Sequence, residues 1–133
     1  MDPVSDEELQ EVAAFWEALR TFVAHAERAC RSHGLTPQRY RLLVMILGSA
    51  DGETTVTSLR RRLHVAQSSA TELVDGAVRA GLVERVPDRR DGRVSHLRAT
   101  DEGARRARSV IAELRAERAG LRDLLQELVR RGP

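Results

Sequence analysis

A mainly α-helical fold with one small β-hairpin is expected from three features of the chain. Apolar residues recur at alternating spacings of three and four over residues 9–30, and an apolar seam runs again over 107–129. Two short helical patterns, at about 58–63 and 66–80, are separated only by His64-Val65. Directly after Gly81 come a strand-like run over 82–86, a charged tip over 87–93 and a second strand-like run over 94–99. Helix, turn, helix and β-ribbon in that order make a winged helix-turn-helix, a module that places its second helix in the major groove of DNA. The expected organisation is one domain over 1–133. Its winged helix-turn-helix lobe spans 36–100, and helices at 5–33 and 101–131 flank it as dimerisation elements.

The first helix opens on Ser5-Asp6-Glu7-Glu8, with Ser5 as N-cap, Glu8 at N3 and acids in the turn that suits the helix dipole. Leu9, Val12, Trp16, Leu19, Val23, Ala26 and Cys30 form its stripe, widened by Phe15 and Phe22. It runs about seven turns and ends near Gly34. A helix this long with two apolar seams is expected to meet a second subunit. Thr36 and Pro37 open the second helix as N-cap and N1. Tyr40 to Leu47 is apolar nearly all round, which places this helix at the centre of the core. Residues 48–53 read as a loop. Thr57 is expected to cap the third helix, with Leu59 and Leu63 facing inward beside Arg60, Arg61 and Arg62. In the fourth, Ala70, Leu73, Val74, Ala77 and Val78 face the core, leaving Gln67, Ser68, Thr71, Glu72, Asp75 and Arg79 outside. Gly81 ends it as a C′ glycine. Asp91-Gly92 suits the tight turn of the wing. Thr100 caps the fifth helix, and a break near Glu117 or Gly120 would divide the C-terminal seam in two.

Composition narrows the function classes. The chain has 133 residues, 41% hydrophobic and 32% charged, which is a globular balance. Aromatics at 3% argue against stacking on single-stranded nucleic acid. All 22 basic residues are Arg, so every cation carries a planar fork suited to phosphate or guanine. The net charge of +2 is unevenly placed. Residues 1–33 hold three Arg against seven acids, whereas 57–98 hold nine Arg against five. That asymmetry suggests a directed polyanion-binding face. Cys30 is the only cysteine, so no internal disulfide forms and a reducing, cytoplasmic setting is expected. No apolar run approaches a membrane span, and the acidic N-terminus carries no signal-peptide pattern.

The candidate DNA-binding residues follow from this frame. Arg89, Arg90 and Arg93 project from the wing tip, where one Arg is expected in the minor groove and the others on phosphates. A solvated turn with internal Asp–Arg pairing is the other reading. Gln67, Ser68, Ser69 and Thr71 are short or amide side chains fit for base edges and phosphates. Glu72 is repelled by phosphate unless it accepts from a cytosine amino group or pairs with an Arg, and the Arg pair is the expectation. Asp75 is expected to hold a wing Arg. Arg60 and Arg62 are candidates for backbone contact. Cys30 reads as a buried small hydrophobe rather than a thiolate sensor. The four His form no close metal pair, and no nucleophile elbow or phosphate loop is present, so neither a metal, a cofactor nor an enzyme is expected.

Across nearly its whole length the chain resembles the MarR family of bacterial transcriptional regulators. The resemblance rests on Gly34-Leu35-Thr36-Pro37-Gln38-x-Tyr40-x-Leu42-Leu43, Val56-Thr57-x-Leu59-x-x-Arg62-Leu63, Ser69-Ala70-Thr71-x-Leu73-Val74-Asp75, Ala80-Gly81-Leu82-Val83-x-Arg85, Asp88-x-x-Asp91-x-Arg93 and Leu97-x-x-Thr100-x-x-Gly103. It implies a homodimeric repressor of pseudo-palindromic operators on double-stranded DNA, released when a small, often aromatic, ligand enters between the dimer helices and the DNA lobe. Carried over by position, Gln67, Ser68, Ser69 and Thr71 read the major groove, and Arg93 or Arg90 is the wing-tip Arg. The pocket would be lined by Trp16, Leu19, Val23, Tyr40 and Val44, which serve equally well as core. The chain departs from the family pattern at Ala66, where a Ser often caps the recognition helix, at Glu72 and Gly76, often basic, and at Gly92, in place of the first tip Arg. A Cys early in the first helix marks the peroxide-sensing branch, and Cys30 is not at that place. A protein-binding adaptor on a degenerate winged-helix scaffold is the rival function, favoured by Glu72 and the low net charge.

Overall fold

A computed structural model describes residues 2–131. In chain order the elements are α1 (Asp6–Ser32), α2 (Pro37–Leu47), a 3-10 turn (Ala50–Gly52), β1 (Glu53–Thr54), α3 (Val56–Leu63), α4 (Gln67–Arg79), β2 (Val83–Pro87), β3 (Ser95–Ala99), α5 (Asp101–Glu113) and α6 (Arg115–Arg131). The mainly α winged helix-turn-helix with helices at both ends is therefore the observed architecture.

Hydroxyl caps start four of the helices. Ser5 Oγ accepts from Glu8 N, Thr36 Oγ1 from Arg39 N, Thr55 Oγ1 from Ser58 N and Thr100 Oγ1 from Gly103 N, at 3.1–3.2 Å. The third cap corrects an expectation: Thr55, not Thr57, opens α3. The sequence Thr55-Val56-Thr57 offers two caps, and the earlier one lets Val56 join the helix.

Three helices end in the same Schellman arrangement. Leu35 N donates to Cys30 O, Val65 N to Arg60 O and Leu82 N to Ala77 O, at 2.9–3.2 Å. The residue before each donor sits at positive φ: Gly34, His64 and Gly81. His64 thus makes the helix-turn-helix bend from a conformation that usually favours glycine.

The sheet has three antiparallel strands in the order β1-β3-β2, so the wing hairpin carries a short extra strand. Residues 48–53 were expected as plain loop. β1 exists through long-range pairing, Glu53 opposite Arg98 and Thr54 opposite Leu97. On one face Arg98 lies between Glu53 and Glu84 and binds Glu84 Oε1 at 2.8 Å.

The core is aliphatic and centred on α2. Leu42, Leu43 and Ile46 are fully buried against Leu59 of α3, Val74 and Ala77 of α4, Leu82, Val83, Leu97 and, from α5, Ala107 and Val110. Each of the Leu, Ile and Val side chains contributes about 1.5–3 kcal/mol by burial. The apolar stripe of α1 behaves differently. Only Ala29 and Cys30 are buried, whereas Leu9, Val12, Trp16 and Val23 are exposed. No residue of α6 is buried. The C-terminal seam divides at Leu114, earlier than the Glu117–Gly120 region expected, without Gly or Pro. Leu114 is itself buried, and the Arg118 guanidinium donates to Ile111 O across the break.

Candidate nucleic-acid interface

The outer face of α4 begins with Gln67, Ser68 and Ser69, all exposed in its first turn. Ala66 at the N-cap supplies no side-chain acceptor, which leaves first-turn N–H groups for water or an oxyanion. Thr71 Oγ1 donates back to Gln67 O at 3.0 Å. Its hydroxyl proton is thereby engaged, and the exposed side chain still offers its methyl, the complement of a thymine methyl. Glu72 is exposed, and among the described residues no cation lies within 4.0 Å of its carboxylate, so the expected Arg pair is not formed. Asp75 does take a cation, but from the strand rather than the tip. Arg85 Nη2 donates to Asp75 Oδ1 at 2.7 Å and ties α4 to β2.

At the wing, Asp88 organises the turn. Its Oδ1 accepts from Arg90 N at 2.6 Å and Asp91 N at 3.2 Å, and its Oδ2 lies 2.7 Å from His96 Nε2. The Arg90 N–H bond, then His96, then the Asp91 N–H hold the carboxyl below the usual range for an aspartate. The ring of His96 lies between two acids, with Glu53 at 3.7 Å from Nδ1. Arg89 and Arg90 are exposed. Arg93 is 93% exposed at its side chain and meets Asp91 Oδ1 at 3.2 Å, a pair worth little in water. The three tip guanidiniums thus stay available to a polyanion.

The arginines of α3 divide. Arg62 is committed inward, donating to Ser49 Oγ at 2.9 Å and Met45 O at 3.3 Å, so it braces α3 against the end of α2. Arg60 is half-buried, with its Nε buried and, among the described residues, without a hydrogen-bond partner, while Arg61 is exposed. Two further cations gather where no role was expected. A Cβ placed on Gly76 would lie 3.4 Å from Arg39 Nη2 and 4.0 Å from Arg79 Nη2. Arg39 belongs to α2, and its sequence neighbours give no sign that it reaches α4.

The five residues considered as a ligand pocket differ in exposure. Trp16 is 53% exposed and Val23 is exposed, while Leu19, Tyr40 and Val44 are half-buried, Tyr40 against the core. Apolar grooves lie along α6, flanked by Leu121, Leu125 and Val129, and between α1 and α6, flanked by Phe22, His25 and Leu124. Cys30 is 1% exposed, and burial, ahead of Glu27, pushes its thiol up, away from thiolate chemistry. Among the described residues no three His, Cys, Asp or Glu converge as metal ligands, and no helix is long and apolar enough to cross a membrane.

Comparison with known proteins gives concordant matches. The MarR family model matches residues 33–94. The transcriptional repressor IacR of Pseudomonas putida is 29% identical over 105 residues, 77% of this chain and 62% of its own. The chain thus spans less than two thirds of that relative's length. AbsC of Streptomyces coelicolor, a MarR family transcriptional regulator, matches in structure with a TM-score of 0.75 at 21% identity, over 95% of this chain and 90% of its own. A mutant MarR from E. coli, complexed with operator DNA, matches with a TM-score of 0.64 at 21% identity, over 97% and 86%. Helix α4, the wing joined to it and the motifs that carry both lie within or beside the matched segment, and over residues 33–94 the chain matches the MarR family.

Proposed function

We propose that the chain is a sequence-specific DNA-binding repressor that acts as a homodimer on a pseudo-palindromic operator. The observation that carries this reading is the joint presentation of two readers. Gln67, Ser68, Ser69 and Thr71 stand exposed on α4, and the wing that follows carries three exposed Arg. The α4 side chains would contact base edges in the major groove, while Arg93, with Arg89 or Arg90, would meet phosphates and the adjoining minor groove. Arg60 keeps a smaller part in backbone contact, and Arg62 acts through its brace on α2. Positive charge comes from the wing more than from α4, which carries Glu72, Asp75 and one Arg.

Dimerisation is supported by α1 and α6. Residues 5–33 and 101–131 would form the subunit contact, burying the exposed Leu9, Val12 and Trp16 and the 80%-exposed Val129. The two α4 helices would then enter successive major grooves about 34 Å apart. The repressor name of the P. putida relative supports repression, and the DNA complex of the E. coli protein supports duplex DNA as the partner. Release by a small aromatic ligand completes the proposal on the family resemblance. Such a ligand would act only through its differential affinity for dimers of different lobe spacing.

Selection of bound duplexes from a random pool by the purified protein tests this. The expected product is a two-fold symmetric motif with half-sites about 10 base pairs apart. A pool that enriches nothing would favour the second reading, a protein-binding adaptor, which the exposed, unpaired Glu72 on α4 supports.

A further inference from the structure

We propose that Arg39 of α2 and Arg79 of α4 form a two-guanidinium cradle, floored by Gly76, that holds one backbone phosphate of the bound DNA. The proposal rests on the DNA-binding reading and adds to it a contact from a helix outside the helix-turn-helix pair and the wing.

Ser69, Glu72, Gly76 and Arg79 recur at spacings of three and four, so they form one stripe along α4, off the core-facing line of Ala70, Val74 and Ala77. Gly76 is nonetheless buried. The terminal nitrogens of Arg39 and Arg79 both lie within 4.0 Å of the point its missing Cβ would occupy. Glycine in a helix interior is conformationally costly, and at this position it leaves room for the Arg39 guanidinium to reach over α4. Two like charges thus converge on one spot. Among the described residues neither is within 4.0 Å of a carboxylate, although Glu72 borders the same groove between α2 and α4.

The groove therefore has the chemistry of an oxyanion site. Planar forks donate two N–H bonds at a time, and a tetrahedral phosphate presents several acceptor oxygens to such forks. Glu72 disfavours a free multivalent anion that would have to sit against it. A backbone phosphate is singly charged and is positioned by the rest of the duplex, so it can meet the Arg pair from the solvent side. Ser69, on the same stripe and in the first turn of α4, places this groove beside the proposed reading surface. In this arrangement α2 supplies the positive charge that α4 itself, with two acids and one Arg, does not.

The test is the salt dependence of binding to the selected duplex, read by fluorescence anisotropy. Wild type, R39A, R39K, R79A and the wing control R93A are compared, with thermal melting on each. R39A and R79A are each expected to reduce the magnitude of the slope of log K against log salt by about one unit. R39K should keep most of the slope. The double variant R39A/G76R, which returns a cation to the same place from the other helix, should restore it. The selected motif should not change, because a phosphate contact carries no sequence information. If R39A and R79A keep the wild-type slope while R93A loses a unit, the cradle is overturned and the DNA reading stands. If R39A lowers the melting temperature while R79A leaves the slope unchanged, Arg39 is a structural brace and the cradle is again overturned. Wild-type protein that binds no duplex at all overturns the DNA reading and this proposal with it.

Discussion

Asp88 shows how one side chain sets a functional surface. Both of its oxygens are engaged, one by the N–H groups of Arg90 and Asp91 and the other by His96, so the tip arginines leave a fixed turn rather than a floppy one. Because those bonds favour the charged form, its folded pKa lies below the unfolded one. Its contribution is therefore complete above the ordinary aspartate range and is lost as pH falls through the depressed folded value. D88A should speed hydrogen exchange at the Arg90 and Asp91 amides at neutral pH while leaving core amides unchanged. Unchanged tip exchange would remove Asp88 as the organiser. Partners at this scale were only half legible in the sequence. Asp75 was expected to hold an Arg of the wing, and it does, but the partner is Arg85 on β2, two residues beyond the Leu82-Val83 core pair. Glu72 was expected to pair with an Arg, and among the described residues no cation lies within 4.0 Å of it. Which of 22 identical cations reaches a given acid depends on side-chain reach across elements, and periodicity carries no information about that.

Between elements, the junction of β3 and α5 is closely packed. Thr100 Oγ1 accepts from Gly103 N and donates to Gly81 O at 2.6 Å, while Thr100 N donates to Leu82 O at 3.0 Å. A Cβ on Gly103 would collide with Leu82 O, would sit 2.9 Å from Leu82 C and would touch Leu43 Cδ2 at 3.0 Å. Backbone cannot turn aside as a flexible side chain can, so G103A should destabilise the fold by about 1–3 kcal/mol, the range of overpacked cores. Chemical denaturation would read this as a lower midpoint at unchanged m-value. A midpoint equal to wild type would mean that α5 shifts freely. The elements were largely legible because their signals are local: hydroxyl caps at Ser5, Thr36 and Thr100, and the terminating Gly34 and Gly81. The misses are those without a local signal. β1 is two residues long and is defined by its partner β3, and the bend at Leu114 has no breaker residue.

For the whole molecule, α1 poses the main question, since 27 residues of helix run about 40 Å and only its last turns are buried within the chain. The apolar stripe was legible in the sequence and its length pointed to a second subunit, but the surface that would cover it was not legible, because periodicity reports that a face is apolar and not which residues it meets. L9E and V12E should therefore leave thermal stability of the lobe intact while shifting sedimentation toward monomer and weakening operator binding through loss of bivalency. A wild-type protein that sediments as monomer at micromolar concentration would refute the dimer. Under the proposed DNA-binding function, the joint at Gly81 bears on the operator. Hydrogen bonds from Gly81 N to Val78 O and Leu82 N to Ala77 O pass α4 into the wing strand with no intervening linker, and Arg85 clasps Asp75 just beyond. Reader and wing thus behave as a caliper with one setting. Each added base pair rotates the next groove by about a tenth of a turn. The distance between half-sites would be set by the long arms of the proposed dimer, and one nucleotide gained or lost inside a half-site would break two contacts at once. Binding sites should accordingly vary in base sequence at their centres and stay constant in the length of each flank.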